Sequence, residues 1–464
     1  MTVDVSAYDG LLNDLYQLTM AASFFRSGMN EPAVFNVSVR KLPPRRAFIV
    51  AAGVESVLQL VEKFHFSQAA LDYLATLKIF DLDFLDFLTG IRFSGEVRAI
   101  PEGTFFFADE PLVEIRAPLI EVLLLETGML NQLGFASTIA SKAARCFMAA
   151  AGRRLIDFGF RRAHGVEAGV IAARSTFIAG FHGTSNLLAG EKYGIPVFGT
   201  MGHSYIMAHD TELQAFEDFM KTFPQLSTIL VDTYDTPHGV ENAAAVALKL
   251  RESGATLQGI RLDSGDLLEL SRRARRILDR HHLGEVAIFA SGGLDEFSIS
   301  DLVKAGAPID AFGVGTALVT SADAPAFDIN CKLVEYKGSA RIKTSTGKTS
   351  MPGSKQVFRA FSPSGAFYED LIGLAEESAT TVHREFKSNP AEVRPLLETR
   401  MKGGRRVGEA ESLQRSRDRF AENLGTVDPR YKDLDRAPMF PVRPTAALNA
   451  LIISEKLAVE KRQS

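Results

Sequence analysis

The chain has 464 residues, of which 46% are hydrophobic, and its 52 basic residues nearly balance 56 acidic ones. This length suits about three ordinary domains, or one large domain with an appendage, and the balanced charge argues against a nucleic-acid surface. Two cysteines, Cys146 and Cys331, are too few for a disulfide framework or a four-cysteine zinc site. No apolar run reaches the roughly 18 residues of a membrane span, and no signal-peptide pattern is present, so we expect a soluble cytoplasmic protein.

The first quarter of the chain indicates an α+β domain. Residues 11–26 have helical apolar spacing, with Asn13 or Asp14 as a cap. Residues 33–41 and two runs within 92–117 alternate apolar and polar side chains, as half-buried strands do. We therefore predict an N-terminal domain over residues 1–120 with a small, mostly antiparallel sheet.

A long helix is predicted from about Pro118, with a break near Gly134. Lys142 and Arg145 fall late in this helix. On pattern alone their simplest interpretation is a solvated helix face. Tyr16, in the first helix, is on the same grounds a half-buried packing residue.

From residue 154 short apolar runs alternate with amphipathic helical patterns such as ENAAAVALKLRESG. The runs are RLIDFGF, STFIAGF, IPVFGTM, TILVDTY, QGIRLDS, VAIFASG and IDAFGVG. Six or seven strand–helix units predict a parallel, barrel-like α/β domain over residues 121–335. A doubly wound open sheet is the alternative, although the count of units favours a barrel. Residues 336–464 predict a C-terminal segment of strands and then charged helices, packing back on the N-terminal domain.

Polar, charged or glycine residues follow the predicted strands in series. They are Asp157 to Arg161, Gly183 to Ser185, Thr200 to His203, Asp232 and Asp235, Arg261 with Asp263, Ser291 to Gly293, and Gly313 to Thr316. Active sites of α/β barrels lie at the carboxyl ends of the strands. The series therefore predicts one composite pocket.

Two of these strand ends, SGGLDEF and GVGTALVT, predict a phosphate cradle, because backbone N–H groups at a helix start attract anions. Tight turns chosen for backbone freedom are the alternative.

Arg261 suits a substrate carboxylate. Asp263 and Asp266 could bind sugar hydroxyls or a metal ion on a phosphate ligand. The alternative is a structural role, an ion pair together with a helix cap at Asp266. His203 has no partner at metal-ligand spacing; such a histidine is more often a satisfied polar residue, but imidazole is also a nucleophile.

Taken together, the motifs resemble the nicotinate phosphoribosyltransferase family over residues 13 to about 360. The matching stretches are NDLYQLTMA, FNVSVRKLP, PEGTFFFADEPL, LLLETGMLNQLGFASTIASKAAR, DFGFRRAHG, GTSN, FGTMGHS, VDTYDT, GIRLDSGDL, FASGGLDE, FGVGT and GKTSMPGSKQVFR, with a weaker match at PRYKDLDRAPMFPV. The resemblance implies an irregular α/β barrel of the type II phosphoribosyltransferase kind, with an N-terminal α+β sheet domain and a C-terminal extension.

The resemblance also implies the reaction. The family joins nicotinate to phosphoribosyl pyrophosphate, giving nicotinate mononucleotide and pyrophosphate for NAD salvage, and couples this to ATP hydrolysis. Mg²⁺ is expected through the substrate phosphates, with no metal ligands assigned to the protein. A homodimer is expected, and neither nucleic acid nor membrane is an expected partner.

Site residues are carried over position by position. His203 resembles the histidine that ATP phosphorylates, and Phe158 resembles one half of an aromatic pair around the pyridine ring. The other half, Tyr16, comes in the family from a second subunit. The remaining expected contacts are Ser185, Thr200 and Arg261 for nicotinate, and Lys142, Arg161, Asp263, Ser291, Gly292, Gly293, Gly313, Gly315 and Thr316 for phosphoribosyl pyrophosphate.

Three alternatives stay open. Nicotinamide phosphoribosyltransferase has GTD where this chain has GTS, and Ser185 would not repel a carboxylate. Quinolinate phosphoribosyltransferase reaches the same product with loss of CO₂. A catalytically dead protein on the same scaffold would be expected to lose His203, Arg261 or the glycines. Asn13 and Gly202 depart from the usual threonine and alanine and leave substrate geometry open.

Overall fold

The structure is a computed structural model that describes residues 9–251, 254, 256–345 and 350–463. It forms two compact units: Met1–Thr138 with Ala326–Ser464, and Ile139–Pro325. The division at residues 120 and 335 stays a prediction about domains. Residues 347–349, which begin the motif GKTSMPGSKQVFR, and residues 252–253, near the end of ENAAAVALKLRESG, lie outside the described residues.

The strands, in chain order, are β1 (Pro32–Val39), β2 (Ile49–Val50), β3 (Glu96–Ala99), β4 (Phe105–Phe106), β5 (Pro111–Pro118), β6 (Arg154–Asp157), β7 (Gly183–Thr184), β8 (Ser227–Leu230), β9 (Leu257–Leu262), β10 (Ala287–Ala290), β11 (Ala311–Val314), β12 (Ile329–Tyr336), β13 (Ser339–Ala340), β14 (Lys355–Phe361), β15 (Phe367–Leu374), β16 (Glu392–Pro395), β17 (Glu398–Lys402), β18 (Arg405–Arg406) and β19 (Val442–Pro444).

The helices are α1 (Leu15–Arg26), α2 (Val54–Lys63), α3 (Gln68–Thr76), α4 (Leu82–Thr89), α5 (Leu119–Leu123), α6 (Glu126–Ala150), α7 (Val166–Ile178), α8 (Leu187–Tyr193), α9 (His203–Met207), α10 (Glu212–Thr222), α11 (Thr236–Leu250), α12 (Leu267–Arg280), α13 (Glu296–Lys304), α14 (Thr316–Val319), α15 (Ala379–Val382), α16 (Leu413–Thr426) and α17 (Ala446–Gln463). Within the described ranges, none of them is both long enough and apolar enough to cross a membrane.

The first unit contains a seven-stranded sheet in the order β13-β12-β1-β5-β3-β17-β18. Its pairs are antiparallel, as the alternating runs predicted. The late strands β12 and β17 pair with the early strands β1 and β3, so distant parts of the chain complete one sheet. A four-stranded sheet, β16-β14-β15-β19, belongs to the same unit.

The second unit contains six parallel strands in the order β7-β6-β11-β10-β9-β8. These strands are short and apolar, and side chains such as Leu155, Ile260 and Phe312 are fully buried. Since β7 and β8 form the two edges, the six strands do not close into a full barrel, and the sheet is a half-barrel. The predicted irregular α/β barrel is confirmed in this form.

Three local predictions are wrong. STFIAGF forms the end of α7 and the turn after it, because a buried apolar run fits a helix as well as a strand. IPVFGTM contributes only the isolated bridge of Val197 to Thr184. Helix α6 runs unbroken through Gly134, where an added Cβ would lie 3.3 Å from the Ile329 side chain, and the interruption falls instead between α5 and α6.

Candidate active site

An open cavity of about 630 Å³ lies at the carboxyl ends of the parallel strands in the second unit. Its lining comprises aromatic, cationic, acidic and glycine residues: Phe158, Phe160, Arg161, Arg162, Ser185, Gly199, Thr200, Met201, Gly202, His203, Ser204, Arg261, Asp263, Ser291, Gly292, Gly293, Gly313, Gly315 and Thr316. Parallel strands end at one edge of a sheet, which is why residues far apart in sequence meet here.

Thirteen predicted site residues line this cavity: Phe158, Arg161, Ser185, Thr200, His203, Arg261, Asp263, Ser291, Gly292, Gly293, Gly313, Gly315 and Thr316. Tyr16 belongs to the first unit, where its side chain is half exposed and its hydroxyl donates to Glu126 Oε1 at 3.4 Å. Lys142 does not line the cavity. It is buried, and its ammonium contacts the carboxylates of Glu296 and Asp323.

Arg261, on β9, carries a partly unpaired guanidinium into the cavity. One terminal nitrogen donates to the Met201 carbonyl oxygen at 2.9 Å, and the buried Nε–H has no hydrogen-bond partner within the described residues. Burial lowers the pKa of Arg261, while the carboxylates of Asp263 and Asp232 act in the opposite direction. A buried donor without a partner is costly, so this group suits an anionic ligand.

Phe158 follows β6 and lies beside this guanidinium, whose carbon is 6.0 Å from the ring centroid. The ring packs edge-on against Phe289, with centroids 5.5 Å apart. Gly313 makes room for it, since an added Cβ would lie 2.6 Å from a ring carbon of Phe158. The packing fixes the orientation of the ring, as a stacking surface requires.

A buried carboxylate organises the turn beneath Phe158. Asp157 accepts hydrogen bonds of 2.8 Å from the Gly159 N–H and the Thr184 hydroxyl. Burial raises the pKa of Asp157, and these two donors oppose that shift. The carbonyl oxygen of Asp157 also accepts from the backbone N–H of Ser185 at 2.9 Å, which ties the ends of β6 and β7 together.

Asp263 lies just past the end of β9 and is joined to the glycine loop after β10. Its carboxylate accepts a hydrogen bond from the Ser291 hydroxyl. Its own N–H donates to Asp232 Oδ2 at 2.9 Å, and the Ser264 hydroxyl donates to the same oxygen at 2.7 Å. Two other acidic residues cap helices instead: Asp235 accepts the His238 N–H and Asp266 accepts the Leu268 N–H.

The loop Ser291–Gly293 requires its glycines. Gly292 has φ +91° and Gly293 has φ +66°, in the left-handed region that glycine favours. A Cβ on Gly292 would lie 1.9 Å from the Asp263 carbonyl oxygen. The Ser291 N–H donates to the Leu262 carbonyl oxygen at 2.8 Å, and all three residues of the loop line the cavity, where a glycine turn of this kind suits a phosphate.

His203 begins α9 and is partly exposed. Its Nδ1 lies 3.2 Å from the Thr233 hydroxyl, and its Nε2 lies 3.8 Å from Asp263 Oδ2. The side chain is 41% exposed, which leaves the imidazole accessible for chemistry. His209 is separate: its Nδ1 lies 2.8 Å from the Tyr205 carbonyl oxygen.

Three lining residues fall outside the predicted strand ends: Arg162, which adds a cation, and Gly199 and Ser204, which flank the predicted run Thr200 to His203. Arg161 and Arg162 are both exposed and lie on the turn after β6. The doubled arginine of DFGFRRAHG was the available signal, and only its first member was assigned a contact.

The site offers few side chains that could bind a metal ion. In the part of the chain that the structure describes, no group of three or more His, Cys, Asp or Glu side chains could hold an ion. Asp232 Oδ1 is buried with no hydrogen-bond partner there, and Asp263 lines the cavity beside it. Mg²⁺ commonly binds through one or two carboxylates and substrate phosphates, and Asp263, the carboxylate that lines the cavity, fits that pattern.

The parallel half-barrel with its cavity at the carboxyl edge places the chain among the type II phosphoribosyltransferases. Family models match in three segments: the nicotinate phosphoribosyltransferase N-terminal domain over residues 11–133, the nicotinate phosphoribosyltransferase family over 153–387, and the nicotinate phosphoribosyltransferase C-terminal domain over 354–452. The chain belongs to the nicotinate phosphoribosyltransferase family.

Two individual relatives carry the name of this family, and a third protein shares the fold. A nicotinate phosphoribosyltransferase of Mycobacterium tuberculosis is 46% identical over 93% of this chain and 90% of its own length. The crystal structure of human nicotinic acid phosphoribosyltransferase aligns with a TM-score of 0.84 at 29% identity, covering 96% of this chain and 99% of that one. A nicotinate-nucleotide pyrophosphorylase from Pyrococcus furiosus aligns with a TM-score of 0.73 at 26% identity, covering 92% and 97%. The predicted family and fold are confirmed.

Proposed function

We propose that this chain transfers the phosphoribosyl group of phosphoribosyl pyrophosphate to nicotinate, giving nicotinate mononucleotide and pyrophosphate in NAD salvage. The observation that carries the proposal is the half-buried guanidinium of Arg261 beside the ring of Phe158, with a buried Nε–H that has no hydrogen-bond partner among the described residues. An aromatic acid satisfies both features at once, since its ring stacks on Phe158 and its carboxylate pairs with Arg261. Thr200 and Ser185 supply further hydroxyls at the cavity wall.

The second substrate fits the remaining lining. The loops at Ser291–Gly293 and Gly313–Thr316 would hold the 5-phosphate, and Asp263 would accept hydrogen bonds from ribose hydroxyls. Arg161 would bind the pyrophosphate, and the adjacent Arg162 adds a second cation. The pyridine nitrogen donates its electron pair to C1 of ribose while the C1–oxygen bond breaks and its electrons leave with pyrophosphate. Cationic side chains stabilise that departing charge.

Mg²⁺ fits this scheme through the substrate phosphates, with Asp263 as the cavity carboxylate that would help to hold it. When bound, it would neutralise negative charge on the pyrophosphate. Asp263 also orients the ribose through its bond to Ser291. The protein groups therefore position the sugar between the pyridine nitrogen and the leaving group.

ATP coupling is assigned to His203. A neutral imidazole nitrogen attacks the γ-phosphorus of ATP, ADP leaves, and water later hydrolyses the phosphohistidine to inorganic phosphate. Support comes from the exposure of the ring in the cavity and from its contacts with Thr233 and Asp263, which orient it. The enzyme would thus be of an ATP-dependent ligase or glycosyltransferase type.

A homodimer with Tyr16 donated across the interface completes the proposal. Helix α1 leaves Leu15 53%, Tyr16 50% and Met20 38% exposed, which is consistent with apolar surface kept for a partner. A cytoplasmic location is also proposed, because Cys146 and Cys331 form no disulfide and suit a reducing compartment.

Nicotinamide is the nearest competing substrate. Ser185 lines the cavity with a neutral hydroxyl, which tolerates a carboxylate, whereas an aspartate there would repel it. Arg261 favours the acid for the same electrostatic reason. Quinolinate is a second competitor, and its two carboxylates would need cations beyond Arg261 near the ring.

One assay tests the function. Nicotinate, nicotinamide and quinolinate are each offered with phosphoribosyl pyrophosphate and Mg²⁺, with and without ATP. We expect nicotinate mononucleotide from nicotinate, at a higher rate with ATP and with release of ADP. Release of CO₂ from quinolinate, or preferred use of nicotinamide, would contradict the proposal.

A further inference from the structure

Lys142 lies in an ion network within the second unit, in which Lys142, Arg145 and Glu296 are buried and Asp323 is exposed. Its ammonium contacts Glu296 Oε2 and, at 2.7 Å, Asp323 Oδ1. Arg145, one helical turn later, donates through Nε to Glu296 Oε1 at 2.7 Å. Two cations therefore meet two carboxylates, and the Lys142 ammonium contacts both carboxylates.

Glu296 is coupled rigidly to the first glycine loop. It is the first residue of α13, three positions after Gly293. The carboxylate of Asp295 accepts the N–H groups of Phe297 at 3.1 Å and Ser298 at 2.8 Å, and the Ser298 hydroxyl closes a capping box. The capping box fixes the start of α13, and the loop Ser291–Gly293 leads directly into that helix. A shift of Glu296 would therefore move the end of the loop as well.

Asp323 is coupled to the second loop in a similar way. It follows the short helix α14, which begins at Thr316. The Ala322 N–H donates to the Ala317 carbonyl at 3.2 Å, and the Ser321 hydroxyl donates to the Ala324 carbonyl at 2.8 Å. The turn is thus held by hydrogen bonds on both sides of Asp323. We expect a displacement of the Asp323 carboxylate to move α14 and, with it, Gly315 and Thr316 at its start.

We propose that Lys142 is a positioning residue that ties the two anion-binding loops together, so that their N–H groups converge on one 5-phosphate. The inference rests on the proposed function and deepens it. Lys142 is buried, does not line the cavity and has its charge matched by Glu296 and Asp323. Its role is therefore distinct from the direct contact with phosphoribosyl pyrophosphate, through the pyrophosphate group, that the family resemblance implied.

Ribose 5-phosphate and pyrophosphate separate the two roles, since only the former carries the 5-phosphate. Titration calorimetry is performed with each ligand on the wild-type chain, Lys142→Met and Lys142→Arg. We expect Lys142→Met to weaken ribose 5-phosphate about tenfold, a coupling typical of one buried network, and to change pyrophosphate less than about twofold. Lys142→Arg, which keeps the charge, should recover most of the affinity.

The steady-state constants give an independent measurement. Lys142→Met should raise the KM of phosphoribosyl pyrophosphate while the KM of nicotinate stays within about twofold, because the ring site at Phe158 and Arg261 is unaltered. If Lys142→Met does not fold, as judged by circular dichroism, Asp323→Asn takes its place, because it removes the charge that pairs Lys142 with the turn after α14 and leaves the contact of Lys142 with Glu296. Weaker ribose 5-phosphate binding by that variant supports the proposal.

Three results would overturn it. Weaker pyrophosphate binding with unchanged ribose 5-phosphate binding would identify a direct contact. Unchanged binding of both ligands in a folded variant would show that Lys142 does not position the two loops. An equal loss for nicotinate would indicate general disruption. Failure of the wild-type chain to bind ribose 5-phosphate would contradict the proposed function itself.

Discussion

The guanidinium of Arg261 donates a hydrogen bond of 2.9 Å to the carbonyl oxygen of Met201, two residues before His203. The side chain proposed to hold the nicotinate carboxylate therefore also holds the loop that carries the proposed phosphate acceptor. Binding of the acid and the position of His203 are physically connected through this one bond.

Arg261→Gln should lower kcat/KM for nicotinate about 100-fold, because the loss of charge-assisted hydrogen bonds to a carboxylate costs about 2–3 kcal/mol. Initial rates at saturating phosphoribosyl pyrophosphate measure the effect. Arg273→Gln, at an exposed position on α12, serves as the control and should behave as wild type. An unchanged KM for nicotinate would rule out the assigned role of Arg261.

His203→Ala should abolish ADP release that depends on nicotinate and leave a slower, uncoupled synthesis of the mononucleotide. The reason is that the variant lacks the nitrogen that would accept phosphate, whereas the ring and 5-phosphate sites remain. His209→Ala is the matched control, since that histidine contacts Tyr205 and lies outside the cavity lining. Full ATP coupling in the first variant would be incompatible with a phosphohistidine at this position.

Gly292→Ala should weaken ribose 5-phosphate binding at least tenfold. A methyl group there would lie 1.9 Å from the Asp263 carbonyl, so the loop must move. Gly293→Ala is a sharp comparison, since its φ of +66° carries a similar backbone strain while nothing lies within 4 Å of the added carbon. Equal loss of affinity in both variants, measured by calorimetry, would show that strain and not the close approach controls the loop.

Lys355→Met should flatten the pH dependence of stability above neutrality. Burial lowers the pKa of Lys355 to about 7. An unfolded lysine titrates near pH 10.4, so between these values the unfolded chain binds a proton that the folded chain lacks. Stability from this group therefore rises with pH by up to about 1.4 kcal/mol per unit above pH 7, and is constant below it.

Urea midpoints at pH 7, 8 and 9 measure that slope. The wild-type midpoint should rise relative to that of Lys355→Met across this range, whatever the absolute stability of the variant. Lys355 and Lys456 both line a second cavity, which lies in the first unit, and Lys456 is exposed. Lys456→Met is therefore the control and should keep the wild-type slope. Parallel slopes in wild type and Lys355→Met would contradict the lowered pKa.

Tyr16→Ala and Arg261→Gln should complement each other when mixed. If Tyr16 completes the site of a second copy, a mixed dimer has one intact site and one doubly defective site. Random exchange of subunits then restores about a quarter of the wild-type activity, as expected for two-fold symmetric dimers. Activity that never exceeds the mean of the separate variants would place Tyr16 in the site of its own subunit or outside any site.

Much of the cavity could be predicted because parallel strands bring their carboxyl ends to one edge. Phe158, Ser185, Asp263 and Ser291 each directly follow a strand, and the structure brings them together. Lys142 could not be predicted in this way. Its carboxylate partners lie 154 and 181 residues further along the chain, and a charged helical position has the same pattern whether it faces solvent or a buried ion network.

The strands were harder to identify than the site. STFIAGF and IPVFGTM have the composition of buried strands, yet the two-residue strand Gly183–Thr184 between them is the one that pairs with β6. Length and periodicity do not separate a short apolar strand from the end of a buried helix. Only the pairing partner decides, and that partner is set by tertiary structure.

The position of β11 also constrains how the protein is made. It is the last strand of its unit to be synthesised, yet it lies between β6 and β10. Until the ribosome has released residues 311–314, the nascent sheet consists of two separate groups, β6 with β7 and β8 to β10, each with an unpaired edge. Unpaired strand edges invite aggregation, so the nascent chain is exposed to it until β11 joins the two groups into one sheet.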